Sequence, residues 1–134
     1  MIDTLIGAAV EIVATADRTP QPSRSVANRW HDSGSTRVWR GVPLWIRSLS
    51  LCVRRHESMQ AGHYTAHNGH SSAAGAYQFL RATWQGNARW TPLAKPWAHT
   101  TADRAPAWAQ DAVFIHAIRG GGAHAWSGTG CAGT

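Results

Sequence analysis

Acidic residues are what this chain has least of. Its 134 residues hold seven Asp and Glu against thirteen Lys and Arg, and only Glu11 and Glu57 are glutamates. Lysine is nearly absent too: Lys95 stands alone, so almost all the positive charge is arginine. A net charge of +6 favours a polyanionic partner, whether nucleic acid, an anionic membrane or an anionic bacterial wall. Charged residues make up only 15%, while 43% hydrophobic residues and eight tryptophans suffice for one compact core. A disordered charged tail is thereby excluded.

Cysteine is scarce as well. Cys52 and Cys131 lie far apart with no CxxC pair, which excludes a zinc ribbon. They are either two buried thiols or one bridge, which would close most of the compact part and contribute about 4–5 kcal/mol in the chain-entropy model. A bridge implies an oxidising compartment. Long apolar runs are missing: no stretch approaches the roughly 18 residues of a transmembrane segment. The opening "MIDTLIGAAVEIVATAD" ends in Ala14-Thr15-Ala16, which resembles a cleavage site. Asp3 and Glu11, however, sit where a signal peptide carries positive and then purely apolar residues. Ile2, Leu5, Ile6, Ala9 and Val13 instead fit one face of an amphipathic helix.

The chain divides into residues 1–40, a helix followed by a Pro/Ser/Arg-containing linker, and residues 41–134, one compact domain. Trp30 and Trp39 suggest that the linker packs on something, but the segment is expected to be dispensable for folding. From Val42, with Pro43 in the first turn, a helix is predicted: Ile46, Leu49, Val53 and Glu57 recur at helical spacing on one face. Gly62, Asn68, Gly69 and the run to Gly75 read as loop, and "AYQF" as a short strand. A brief helix follows at Arg81–Gln85. A last helix runs from Pro106 through "AWAQDAVFIHAIR" to Gly120–Gly122, with Asp103 as a cap before it. The expected class is α+β, mostly α.

Glu57 therefore lies on the stripe that faces the core. Lost hydration raises a carboxyl pKa, and a glutamate that keeps its proton near neutral pH can protonate a leaving oxygen, as glycosidic cleavage requires. The plainer reading is a helix-end glutamate paired with Arg54, Arg55 or solvent. Tyr64, Asn68, Tyr77, Gln78, Thr83 and Trp84 follow within 28 positions of the acid. Their hydroxyls, amides and ring faces suit a sugar groove.

"CVRRHES" followed by "SSAAGAYQFLRATW" resembles the lysozyme-like transglycosylase family of Gram-positive bacteria and their phages, of which the resuscitation-promoting factors are one branch. The resemblance spans roughly positions 44 to 131 and is carried by Cys52, Glu57, Ser58, Gly75, Gln78, Phe79, Thr83, Trp84, Gln110, Asp111, Trp126 and Cys131. It implies a small lysozyme-like domain that cleaves peptidoglycan glycan strands without cofactor or metal. Glu57 would be the general acid, Tyr77, Gln78 and Thr83 groove residues, and Cys52–Cys131 a disulfide. It also implies an extracytoplasmic setting, secreted to the wall or carried on a phage virion, where residues 1–40 would dock on other tail proteins. One departure stands out: Met59-Gln60 follows Glu57-Ser58 where the family carries Gly-Gly or Gly-Asn.

Three other readings compete. A non-catalytic wall-glycan module would explain the altered loop. A zinc peptidase could use His63, His67 and His70, although "HESMQ" lacks the second histidine of HExxH. A nucleic-acid surface could combine Arg54, Arg55, Arg81 and Arg89 with Trp84, Trp90 and Trp97, but no nucleic-acid fold signature is present and no such partner is expected.

Overall fold

The computed structural model describes residues 37–59 and 63–134; the amphipathic N-terminal segment, Trp30, most of the linker and Gln60–Gly62 lie outside the described residues. Among the described residues the α-helices Leu44–Glu57 (α1), Arg81–Ala88 (α2) and Ala107–Arg119 (α3) are joined by 3₁₀ turns at His63–Thr65, Lys95–Trp97 and Ala102–Arg104. A further 3₁₀ stretch at Gly122–Thr129 leads into the C-terminal tail. The fold is mostly helical. The expected "AYQF" strand is reduced to two isolated antiparallel bridges, His67 with Ala74 and Ala74 with Phe79. Gly75 and Gln78, both at positive φ, turn the chain too tightly there for a ladder to extend. No described helix is long and apolar enough to cross a membrane.

Proline sets the start of α1 and α3. Pro43 and Pro106 are N-caps in extended conformation, each one residue outside the helix it precedes. No side chain caps α3. The expected cap, Asp103, instead lies in the preceding 3₁₀ turn and accepts a hydrogen bond from Thr101 Oγ1 at 2.6 Å. Gly121, in the left-handed region at φ 86°, closes the C-terminus of α3, where its N–H reaches Ile118 O.

Helix α3 is buried along nearly all its faces, from Ala107 to Ile118, with only Trp108 half-buried and His116 exposed. A helix buried on nearly every face sits at the centre of a core, so its polar Gln110 and Asp111 must find partners inside. Against it pack α1, through Ile46, Leu49 and Val53, and an aromatic cluster from the later turns. Phe114 stacks on Tyr77 with centroids 4.3 Å apart and meets Trp126 at 5.0 Å, while Phe79 lies between Trp84 and Trp126. A disulfide joins Cys52 on α1 to Cys131 in the tail, which chooses between the two states open to these cysteines.

Trp39 moves the start of the compact part forward. It is buried in the core, and its Nε1–H donates to Asp111 Oδ2 at 3.3 Å. Truncation after residue 40 therefore removes a core indole. Trp39→Ala is expected to cost about 3–5 kcal/mol, the usual range for emptying a buried tryptophan site, read as a lower urea midpoint at unchanged slope.

Candidate functional site

Glu57 ends α1 and is half-buried. Burial raises its pKa above the ordinary glutamate value, with the neighbouring His56 pulling weakly the other way. Among the described residues it forms no ion pair. Arg54, one expected partner, turns into the core instead: it is 4% exposed and donates through Nε to Ser50 Oγ at 3.2 Å. Arg55 is exposed.

The chain beyond Glu57 is held by Ser58. Its buried hydroxyl donates to Ala76 O at 2.7 Å, fastening the end of α1 to the turn at 74–79. His63 N–H donates to Ser58 O at 2.9 Å. The turn is itself anchored by Gln110 of α3. This fully buried amide accepts from Ala76 N–H at 2.8 Å and donates to Tyr64 O and Ala105 O, both at 2.9 Å. One side chain thus satisfies three backbone groups that would otherwise be orphaned in the interior.

Gly75 allows that anchoring. Its φ is +80°, and a Cβ there would run into the Gln110 side-chain oxygen and lie 3.0 Å from Ala102 Cβ. Gly75→Ala is expected to destabilise the fold by roughly 2–4 kcal/mol, combining left-handed strain with overpacking. Thermal denaturation checks this. Gln78 also adopts positive φ, at 52°, unusual for a residue with a side chain; its Nε2 donates to Gly75 O at 3.0 Å across the turn.

The predicted groove residues separate into two groups. Tyr64, Tyr77 and Trp84 are 1%, 0% and 0% exposed, so their rings are core and offer a glycan no surface. Their polar ends are used internally: both tyrosines donate to Asp111 Oδ1, at 2.8 and 2.6 Å, and Trp84 Nε1–H to Trp97 O. Gln78 and Asn68 are half-buried, and Thr83 is exposed in the first turn of α2. Asn68 is tied to the turn through Ala73 O and folds its Oδ1 onto His70 N–H. Gln78 and Asn68 belong to the hydrogen-bonded turns around Gly75, to which Ser58 fastens the end of α1; Thr83 lies apart from them, on α2.

Beneath this surface lies a polar network that the sequence reading left unassembled. Asp111 is fully buried and takes hydrogen bonds from Trp39, Tyr64 and Tyr77. Tyr77 spends its only proton on Asp111, so the 2.8 Å contact with Ser50 is a bond donated by Ser50. Ser50 in turn accepts from Arg54, giving one direction throughout: Arg54 to Ser50 to Tyr77 to Asp111. Burial and the Asp111 charge hold both tyrosines well above their usual pKa, so they remain proton donors. Arg54 lies over the Tyr64 ring at 5.6 Å, and its second contact, to His63 Nε2 at 3.4 Å, requires that nitrogen to accept. Ser50 and Arg54 share the buried stripe with Ile46 and Val53, and the four-residue spacing was the signal available in the sequence.

The competing surfaces come apart. Among the described residues His63, His67 and His70 do not bring three ring nitrogens together: His63 is buried against Arg54, while His67 and His70 are exposed. The basic aromatic surface loses Arg54 and Trp84 to the core, and Trp97 packs edge-on against Trp108. Compared with known proteins, the chain matches no family model, no curated protein and no solved structure.

Proposed function

We propose that this protein cleaves the glycan strand of bacterial peptidoglycan, at the β-1,4 bond between N-acetylmuramic acid and N-acetylglucosamine, on a lysozyme-like scaffold. The observation that carries the reading is the setting of Glu57. It is a carboxyl with its proton affinity raised by burial, at the surface end of a helix, beside a turn fastened by Ser58, Gln110 and Gly75. Glu57 gives its proton to the glycosidic oxygen as positive charge develops at the muramyl anomeric carbon. Gln78, Asn68 and Thr83 supply hydrogen-bonding groups for sugar hydroxyls and acetamido groups.

The other carboxylates explain why a one-acid scheme is favoured. The described residues contain only two besides Glu57. Asp111 is enclosed by three donors, and Asp103 is engaged by Thr101. The substrate then completes the reaction itself: its 6-hydroxyl attacks the anomeric carbon, passes its proton to the now-ionised Glu57 carboxylate and leaves a 1,6-anhydro sugar. A lytic transglycosylase is therefore preferred over a muramidase that adds water. The arginine-rich surface suits an anionic wall, and the disulfide suits an extracytoplasmic protein, either secreted or carried on a phage virion.

The proton of Glu57 fixes the sign of the pH dependence. The reactive form is protonated, so turnover falls as pH rises through the Glu57 pKa. Because burial raises that pKa, the alkaline limb lies above the range of a free glutamate. The rate of release of soluble fragments from purified peptidoglycan, measured across pH, tests this. A limb at the ordinary glutamate value, or turnover that rises with pH, would count against Glu57 as the acid.

A further inference from the structure

We propose that, once the Cys52–Cys131 bridge is reduced, Cys52, His56 and Cys131 form a site for zinc or a similar borderline-soft divalent cation. The sulfurs and a ring nitrogen of His56 all lie within 4.8 Å of one another. Cys52 and His56 are one turn apart on α1 and so share a face. Cys131 reaches them from the tail, its Cα 5.9 Å from that of Cys52.

A tetrahedral zinc, with bonds of about 2.0–2.3 Å to nitrogen and sulfur, places its ligand atoms roughly 3.3–3.8 Å apart. That spacing falls inside the 4.8 Å within which the three ligand atoms are already gathered. The tail keeps its place without the bridge: Trp126 is buried, donates through Nε1 to Tyr77 O at 2.9 Å, and packs on Phe79 and Phe114. Thr129 Oγ1 donates to Trp126 O at 2.7 Å and accepts from Cys131 N–H at 3.2 Å, holding the cysteine itself. His56 is exposed, which gives an ion access and leaves the fourth position to water.

The chemistry balances with a thiol or phosphine reductant. Two electrons and two protons convert the bridge to two thiols; a thiol reductant becomes its own disulfide, and a phosphine becomes its oxide with water supplying the oxygen and both protons. The cation then displaces both thiol protons and binds two thiolates and one neutral imidazole. The inference does not depend on the glycan-cleaving reading.

The test uses the full chain, reduced with a phosphine and kept free of oxygen, titrated with cobalt(II) and then with zinc(II). The expected result is one cobalt per chain with a thiolate-to-cobalt charge-transfer band, bleached by zinc. The oxidised protein should give no such band. His56→Ala should weaken binding by about tenfold or more, since even outer-shell partners of a metal ligand are worth roughly 10–100-fold. No thiolate band in the reduced protein, an equal response from the oxidised protein, or wild-type affinity in His56→Ala would overturn the proposal. Circular dichroism on the same samples completes the test: a reduced chain that is unfolded and stays so with cobalt also overturns it.

Discussion

Glu57→Gln is expected to lower release of glycan fragments from peptidoglycan by about 10²-fold or more, with a melting temperature close to wild type. General-acid catalysis contributes roughly 10²–10⁴-fold, and an amide of the same shape has no proton of comparable acidity to give. The fold should not notice the change. Glu57 forms no ion pair among the described residues, and burial already disfavours its charge. A neutral side chain there is expected to change stability by no more than about 0.5 kcal/mol. Wild-type turnover in a folded Glu57→Gln protein would place the acid elsewhere. Lost turnover with lost folding would assign Glu57 a structural role.

The second large effect concerns stability. Asp111→Asn keeps the side-chain shape but removes the negative charge enclosed with Arg54, and only one of its two terminal atoms can accept. If the amide oxygen keeps the two tyrosine hydroxyls, its NH₂ group faces the Trp39 N–H, donor against donor. Arg54 and Asp111 are linked through Ser50 and Tyr77, so the cost combines a lost buried counter-charge with one orphaned donor, about 3 kcal/mol or more. For a domain of about 100 residues this lowers the melting temperature by roughly 12 °C or more. Tyr64→Phe, which removes one donor and leaves both charges, is expected to cost only about 1–2 kcal/mol. Equal losses in the two variants would show that the charge itself contributes little.

The helices were legible because their signals are local. Pro43 and Pro106 mark helix starts, Ile46, Leu49 and Val53 repeat at helical spacing, and Gly120–Gly122 end α3, so α1 and α3 fall within a residue or two of expectation. Glu57 came to attention through the same periodicity, although the structure sets it at a half-buried helix end rather than fully on the core face. The groove was harder to read. A tyrosine or tryptophan looks the same in sequence whether its ring meets a sugar or a neighbouring ring. What withdrew Tyr64, Tyr77 and Trp84 was their burial against Asp111, Phe114 and Trp97, residues far along the chain. Arg54 misled for a similar reason: in a basic run it resembles a solvated cation, and only the fold supplies Ser50, Tyr77 and His63 around it. Asp111 owes its place to the same distant contacts, the hydrogen bonds from Trp39, Tyr64 and Tyr77.

The most direct measurement of the central claim is mass spectrometry of the fragments released from purified peptidoglycan by the wild-type protein and by Glu57→Gln. The expected result is 1,6-anhydro-muramyl fragments from the wild type and almost none from the variant, as a single glutamate acid with an intramolecular 6-hydroxyl attack requires. Reducing-end muramyl fragments, equally lost in the variant, would keep Glu57 as the acid and replace the intramolecular attack with water. Absence of fragments from the wild type would contradict the enzymatic reading and leave a wall-binding module in its place.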